Sequence, residues 1–202
     1  NKDKQFDFID DKKIREFLQN KNNSFEKHKE KADFSEYITF FNPVRVKGSD
    51  IVLDLIKQNT HRKFMIVLGW NNQCNFNEDM SKFKHVLMVP SQHNIAEIYS
   101  YSRLVIIPSQ WEEAFGRIQL EAAMNNLPIC VSARGGLRDI FDENGILVQN
   151  YRSIDAWQMA IEALDDSKTY NLAVKKAALL SKKYSLDEEV ERFVHALHDC
   201  KK

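Results

Sequence analysis

The chain has 202 residues, 43% of them hydrophobic, with 29 Lys and Arg against 29 Asp and Glu. That length and apolar content suit one globular domain with appendages and exclude global disorder. Zero net charge marks no nucleic-acid or anionic-membrane surface, and no apolar run approaches the roughly 18–20 residues of a membrane span.

The polar start NKDKQFDFIDD is no signal peptide. It lacks Met, so the chain reads as a piece of a longer protein. Residues 1–36 carry nine basic and nine acidic side chains and form a charged N-terminal segment. Asp10-Asp11 before KKIREFLQ predicts a short capped helix, and residues 20–36 read as a charged connector.

From Tyr37 the pattern changes to short apolar runs separated by helical segments. YITFF (37–41), KFMIVLG (63–69), HVLMV (85–89), RLVII (103–107), PICVS (128–132) and GILVQ (145–149) predict buried strands. Between them SDIVLDLIKQN (49–59), IAEIYSYS (95–102) and GRIQLEAAMNN (116–126) predict helices, the first capped by Ser49. Residues 153–200 predict two or three more. Residues 37–202 are therefore an α/β domain: a Rossmann-like parallel sheet covered by helices on both faces, with a helical C-terminal tail. Ligands of such sheets sit outside the carboxyl ends of the strands, which directs attention to the loops that follow them.

The loop NPVRVKGSD places Arg45 and Lys47 just before a helix N-terminus, an arrangement suited to a phosphate, although it lacks the glycines of a phosphate-cradling loop. The alternative is two exposed loop cations. The loop PSQWEEAFG places Glu113 before the next helix and Glu121 in that helix's second turn, with Phe115-Gly116 between them. The pair can line one cleft, or Glu121 can be the wet face of an ordinary helix. Gly135-Gly136 can wrap a ligand or make a simple turn. Trp70 and Trp111, each beside a strand end, can cover a ring or pack. Cys74, Cys130 and Cys200 make no CxxC pair or disulfide framework, which reads as reduced and cytoplasmic. His195, His198 and Cys200 read as passengers on a terminal helix. With no Asp-x-Asp pair, no metal is expected.

Lys47-Gly48, then IAEIYSYSRLVIIPSQWEEAFGRIQLEAAMNNLPICVSARGG, then NGILV, resemble the retaining glycosyltransferases of family 4. The resemblance covers roughly residues 37–150 and implies one half of a GT-B fold, the C-terminal domain that binds a nucleotide sugar. It implies Lys47, helped by Arg45, on the donor diphosphate and Glu113 on the transferred sugar as the catalytic positioning group. It also implies Glu121 on the ribose, the backbone of Ala114, Phe115 and Gly116 on the sugar and distal phosphate, and the base near Val89 and Pro90. Three positions depart from the family pattern. Asn42 stands where an Arg is usual, Asn126 where a Gly is usual, and GGLRD, with Asp139, replaces GGxPE. Glu112 falls one position outside the motif and reads as a solvated neighbour.

The implied function is sugar transfer from a UDP-, GDP- or ADP-sugar, with a missing N-terminal acceptor-binding domain or partner subunit, peripheral membrane association through that missing part, and a role in surface polysaccharide synthesis. A nucleotide-sugar-binding module without turnover, a nucleotide-sugar epimerase and a purely structural domain are the competing readings.

Overall fold

The structure, a computed structural model, describes residues 36–69, 73–91, 94–141 and 145–199. The expected N-terminal helix and connector, Trp70 and Cys200 lie outside the described residues. Six strands follow the predicted apolar runs: β1 (Tyr37–Phe41), β2 (Lys63–Val67), β3 (Val86–Val89), β4 (Ser102–Ile107), β5 (Ile129–Ser132) and β6 (Ile146–Val148). All pair in parallel in the order β3-β2-β1-β4-β5-β6.

Seven helices are described: α1 (Ser49–Gln58), α2 (Ile95–Tyr101), α3 (Arg117–Met124), α4 (Gly135–Phe141), α5 (Ile154–Glu162), α6 (Ser167–Lys183) and α7 (Leu186–Asp199). Successive strand residues point to opposite faces, so each strand feeds two cores. Phe40, Ile66 and Ile106 pack with Val52, Leu55 and Ile56 of α1 and Trp157 of α5 on one face. Phe41, Met65 and Val105 pack with Tyr99 of α2, Ala122 and Ala123 of α3, Leu137 of α4 and Leu180 of α6 on the other. Trp157, Phe40, Phe64 and Leu55 are fully buried, each contributing about 1.5–3 kcal/mol through removal from water.

One expected cap is different. Ser49 is the first residue of α1, and the capping position belongs to Gly48, which makes no side-chain cap. The reason is steric. Gly48 has φ +89°, and a Cβ there would sit 2.1 Å from the Pro108 carbonyl oxygen. No capping side chain fits, and the buried Ser49 hydroxyl has no hydrogen-bond partner. Asn126, standing where the family has Gly, has φ +55°, the left-handed turn that Asn tolerates better than most residues. Its N–H closes that turn onto the Ala123 carbonyl at 2.9 Å.

Candidate donor-binding site

The chain leaves β1 toward β2 and β3 on one side, and continues from β4 to β5 and β6 on the other. The strand order therefore reverses between β1 and β4, where open parallel sheets form their binding crevice. A cleft of about 490 Å³ opens there, beyond the carboxyl ends of β1, β2 and β4. Its lining includes Asn42, Lys47, Glu113, the 114–116 segment, Arg117 and Glu121.

Lys47 lies at the end of a 3-10 turn (Arg45–Lys47) directly before Gly48. Its ammonium pairs with Oε1 of Glu113 in the cleft. The Ser109 hydroxyl, on a fully buried residue just past β4, donates to the same Oε1 at 2.9 Å. Glu113 is thus held by one charged and one neutral donor, and only 15% of its side chain is exposed. Two further contacts weld the loops that carry these groups. The Gln110 N–H donates to the Val46 carbonyl at 2.8 Å, and the Ser109 hydroxyl reaches the same carbonyl at 3.4 Å.

The 114–116 segment is braced from both sides. Gln119 donates through Nε2 to the Phe115 carbonyl at 2.7 Å, and its backbone N–H donates to the Gly116 carbonyl at 3.1 Å. In a trans peptide the N–H points opposite to its C=O. Both carbonyls turn toward α3, so the Gly116 and Arg117 N–H groups turn away from it. Among the described residues the Phe115 and Gly116 N–H groups donate no hydrogen bond. They are free donors beside a helix N-terminus, the arrangement that suits an anion.

Gly135-Gly136, open in the sequence between a ligand-wrapping loop and a simple turn, begins α4 and abuts the backbone of the Glu113 loop. The Gly136 N–H donates to the Glu113 carbonyl at 2.6 Å, and a Cβ at Gly136 would lie 2.1 Å from the Ala114 carbonyl oxygen. The glycines serve close backbone approach, and the segment they support faces the cleft.

Glu121 projects from α3 into the cleft, and its Oε2 accepts a hydrogen bond from the Tyr99 hydroxyl of α2 at 2.9 Å. Burial first, then the adjacent Glu121 carboxylate, hold the Tyr99 phenol protonated well above its ordinary range. Glu121 is therefore not the wet face of an ordinary helix.

Other expected residues fall elsewhere. Arg45 is 85% exposed, pairs with Asp50 at 3.3 Å and does not line the cleft. On a tight turn, neighbouring side chains point in different directions, and Asp50 in the first turn of α1 captures this one. Arg117, not anticipated from the sequence, lines the cleft and makes no ion pair among the described residues. Val89 is buried at the end of β3, and Pro90 follows it; Ser91, one residue further, reaches the lining. Trp111 is 62% exposed and outside the lining. Glu112 is exposed but ion-paired with Arg134 at 2.9 Å. Asp139 is exposed on α4. Asn42 adopts φ +56° and packs its amide against Gly69, two residues past β2. Ser109, Tyr99 and Gln119, besides Arg117, are contributors missed from sequence. The signal for each was a polar side chain beside an otherwise apolar strand or helix face. Among the described residues no cluster of three or more His, Cys, Asp or Glu side chains is placed to hold a metal ion, and no helix is long and apolar enough to cross a membrane.

The chain is similar in sequence and fold to known proteins. The D-inositol 3-phosphate glycosyltransferase of Xylanimonas cellulosilytica is 28% identical over 157 residues, covering 71% of this chain and 37% of that protein. The lipopolysaccharide 1,2-N-acetylglucosaminetransferase of Salmonella typhimurium is 31% identical over 107 residues, covering 51% of this chain and 28% of that protein. Among solved structures, Anabaena HepE in complex with UDP-glucose superposes with a TM-score of 0.69 at 17% identity, covering 93% of this chain and 52% of that one. A glycosyltransferase from Rickettsia africae superposes with a TM-score of 0.69 at 15% identity, covering 98% and 54%. The chain thus spans about half the length of these solved structures and less of the curated relatives, and its fold is one Rossmann-like half of a GT-B fold. The family model of the glycosyl transferases group 1 matches residues 20–181, and the chain belongs to that family.

Proposed function

We propose that this chain is the donor-binding half of a retaining, family 4-type glycosyltransferase that moves a hexosyl unit from a nucleoside diphosphate sugar to an acceptor. The observation that carries the reading is the convergence of Lys47, Glu113, the 114–116 segment and Glu121 on one cleft at the reversal point of the sheet. The relatives named as glycosyltransferases and the UDP-glucose complex of HepE support it.

In this reading the diphosphate lies across Lys47, Arg117 and the free amides of Phe115 and Gly116. Glu121 accepts from the ribose hydroxyls, and Glu113 accepts from the hydroxyls of the transferred sugar. The base lies toward Ser91, past Val89 and Pro90. When the bond from the anomeric carbon to the distal phosphate oxygen breaks, its electron pair goes to that oxygen. Lys47, Arg117 and the amides meet the growing charge, a preorganised stabilisation that assigns no role to a metal. Glu113 acts by positioning the sugar. The acceptor site belongs to a second domain or subunit. A cytoplasmic place, peripheral contact with the membrane through that second part, and a product in surface polysaccharide accompany the reading.

Calorimetric titration with UDP, GDP and ADP, then with their sugars, tests it. A chain that binds none of them is not a donor domain. A second reading, a nucleotide-sugar-binding module without turnover of its own, is favoured by one observation: Lys47 and Glu113 pair with each other across the cleft. Transfer assays with and without a complementary acceptor domain separate the two.

A further inference from the structure

Among the described residues Glu121 is the one cleft carboxylate whose partner comes from a different helix and is itself inaccessible. Tyr99 is 1% exposed and sits on α2, whereas Glu121 sits on α3. The Tyr99 ring packs against Phe41 at the end of β1, with centroids 5.2 Å apart, so the ring is held by the sheet. Its hydroxyl donates to Glu121 Oε2 at 2.9 Å, and Oε1 accepts no hydrogen bond among the described residues. A buried phenol hydroxyl needs a hydrogen-bond partner, and here that partner is a carboxylate lining the cleft. A free glutamate on the first turns of a helix samples several rotamers, and ordering it on binding costs conformational entropy.

We infer that Tyr99 is a positioning residue of the donor site: it fixes one oxygen of Glu121 so that the other faces the cleft, ready to accept from the ribose hydroxyls of a nucleoside diphosphate. The inference rests on the donor-site reading above. It assigns to Tyr99 no contact with the ligand. All of its effect runs through Glu121, and only ligands that carry a ribose feel it.

The test compares the full chain with Tyr99→Phe, which removes one oxygen and keeps the buried ring. Two probes are titrated by calorimetry: the best-bound nucleoside diphosphate among UDP, GDP and ADP, and inorganic pyrophosphate. Tyr99→Phe is expected to weaken the nucleotide about tenfold, the size of one hydrogen bond to a charged group, and to leave pyrophosphate unchanged. In a Glu121→Gln background the added Tyr99→Phe change is expected to have less than a twofold effect, because the carboxylate it positions is gone. An unchanged nucleotide affinity, an equal loss for both probes, or full additivity with Glu121→Gln overturns the inference while leaving the donor site standing. A wild-type chain that binds neither probe overturns the donor reading, and this inference with it. Thermal melting of each variant identifies any that fail to fold. In that case Tyr99→Trp, which keeps an aromatic ring and moves the donor, replaces Tyr99→Phe under the same criteria.

Discussion

Lys47 and Glu113, 66 residues apart in sequence, close an ion pair inside the candidate donor cleft. In the proposed reading each meets a different part of the donor, so a bound nucleotide sugar is expected to separate them. Diphosphate would replace Glu113 at the ammonium, and sugar hydroxyls would replace Lys47 at the carboxylate.

This exchange gives Glu113→Gln an unusual sign. Neutralising Glu113 removes the internal competitor for Lys47. The variant is expected to bind a nucleoside diphosphate at least as tightly as wild type by calorimetry. Transfer by the complete enzyme should fall by about a hundredfold, as expected when an oriented contact to the reacting sugar is lost. Weaker diphosphate binding in this variant would contradict the exchange.

The three cations in and beside the cleft are expected to separate cleanly. Lys47→Ala should weaken diphosphate binding by roughly tenfold or more, the range for a hydrogen bond to a charged group. Arg117→Gln should weaken it less and reduce its salt dependence. Arg45→Ala should leave it unchanged, because that side chain faces solvent and Asp50. Titrations at two ionic strengths compare the three.

Backbone geometry predicts a stability change at Gly48. Its left-handed φ disfavours any Cβ by about 1–2 kcal/mol, and overlap with Pro108 adds a comparable amount. Gly48→Ala is expected to lose about 2–4 kcal/mol in urea denaturation. Asn126→Gly is expected to be neutral or mildly stabilising, because Gly adopts the same φ without strain.

Acid stability should report on Asp165. Arg62, just before β2, binds it through two parallel hydrogen bonds of 2.9 and 2.5 Å. That hydrogen bonding holds the Asp165 carboxyl below its ordinary value. A depressed folded-state value stabilises the protein fully above the unfolded value of about 3.9, and the stabilisation disappears as pH falls through the folded value. Asp165→Asn should therefore be less stable than wild type at neutral pH, with the gap shrinking below about pH 4. Denaturation midpoints across that range check it.

The apolar runs made all six strands legible, because a parallel sheet buried on both faces needs near-continuous hydrophobic segments. The cleft was legible in outline, since strand ends and the Glu113–Glu121 spacing mark its wall. What was not legible is which side chain reaches which partner. Arg45 and Lys47 look equivalent in sequence, yet a tight turn sends one outward and one inward. Tyr99 reads as core, and its hydroxyl gains meaning only once α2 lies beside α3. Ser109 reads as an ordinary loop residue after a strand until Glu113 folds back over it. These contacts join residues far apart or around a turn, where local periodicity carries no information.

The hydrogen bond from Gly136 to the Glu113 carbonyl makes the two loops a single part. With no room for a Cβ at Gly136, the 112–116 loop has a fixed seat rather than an independent shape. Transplanting that loop from a relative to change donor preference will carry its geometry only if the 134–136 segment travels with it. The smallest exchangeable unit of this cleft is two loops and the opening turn of α4.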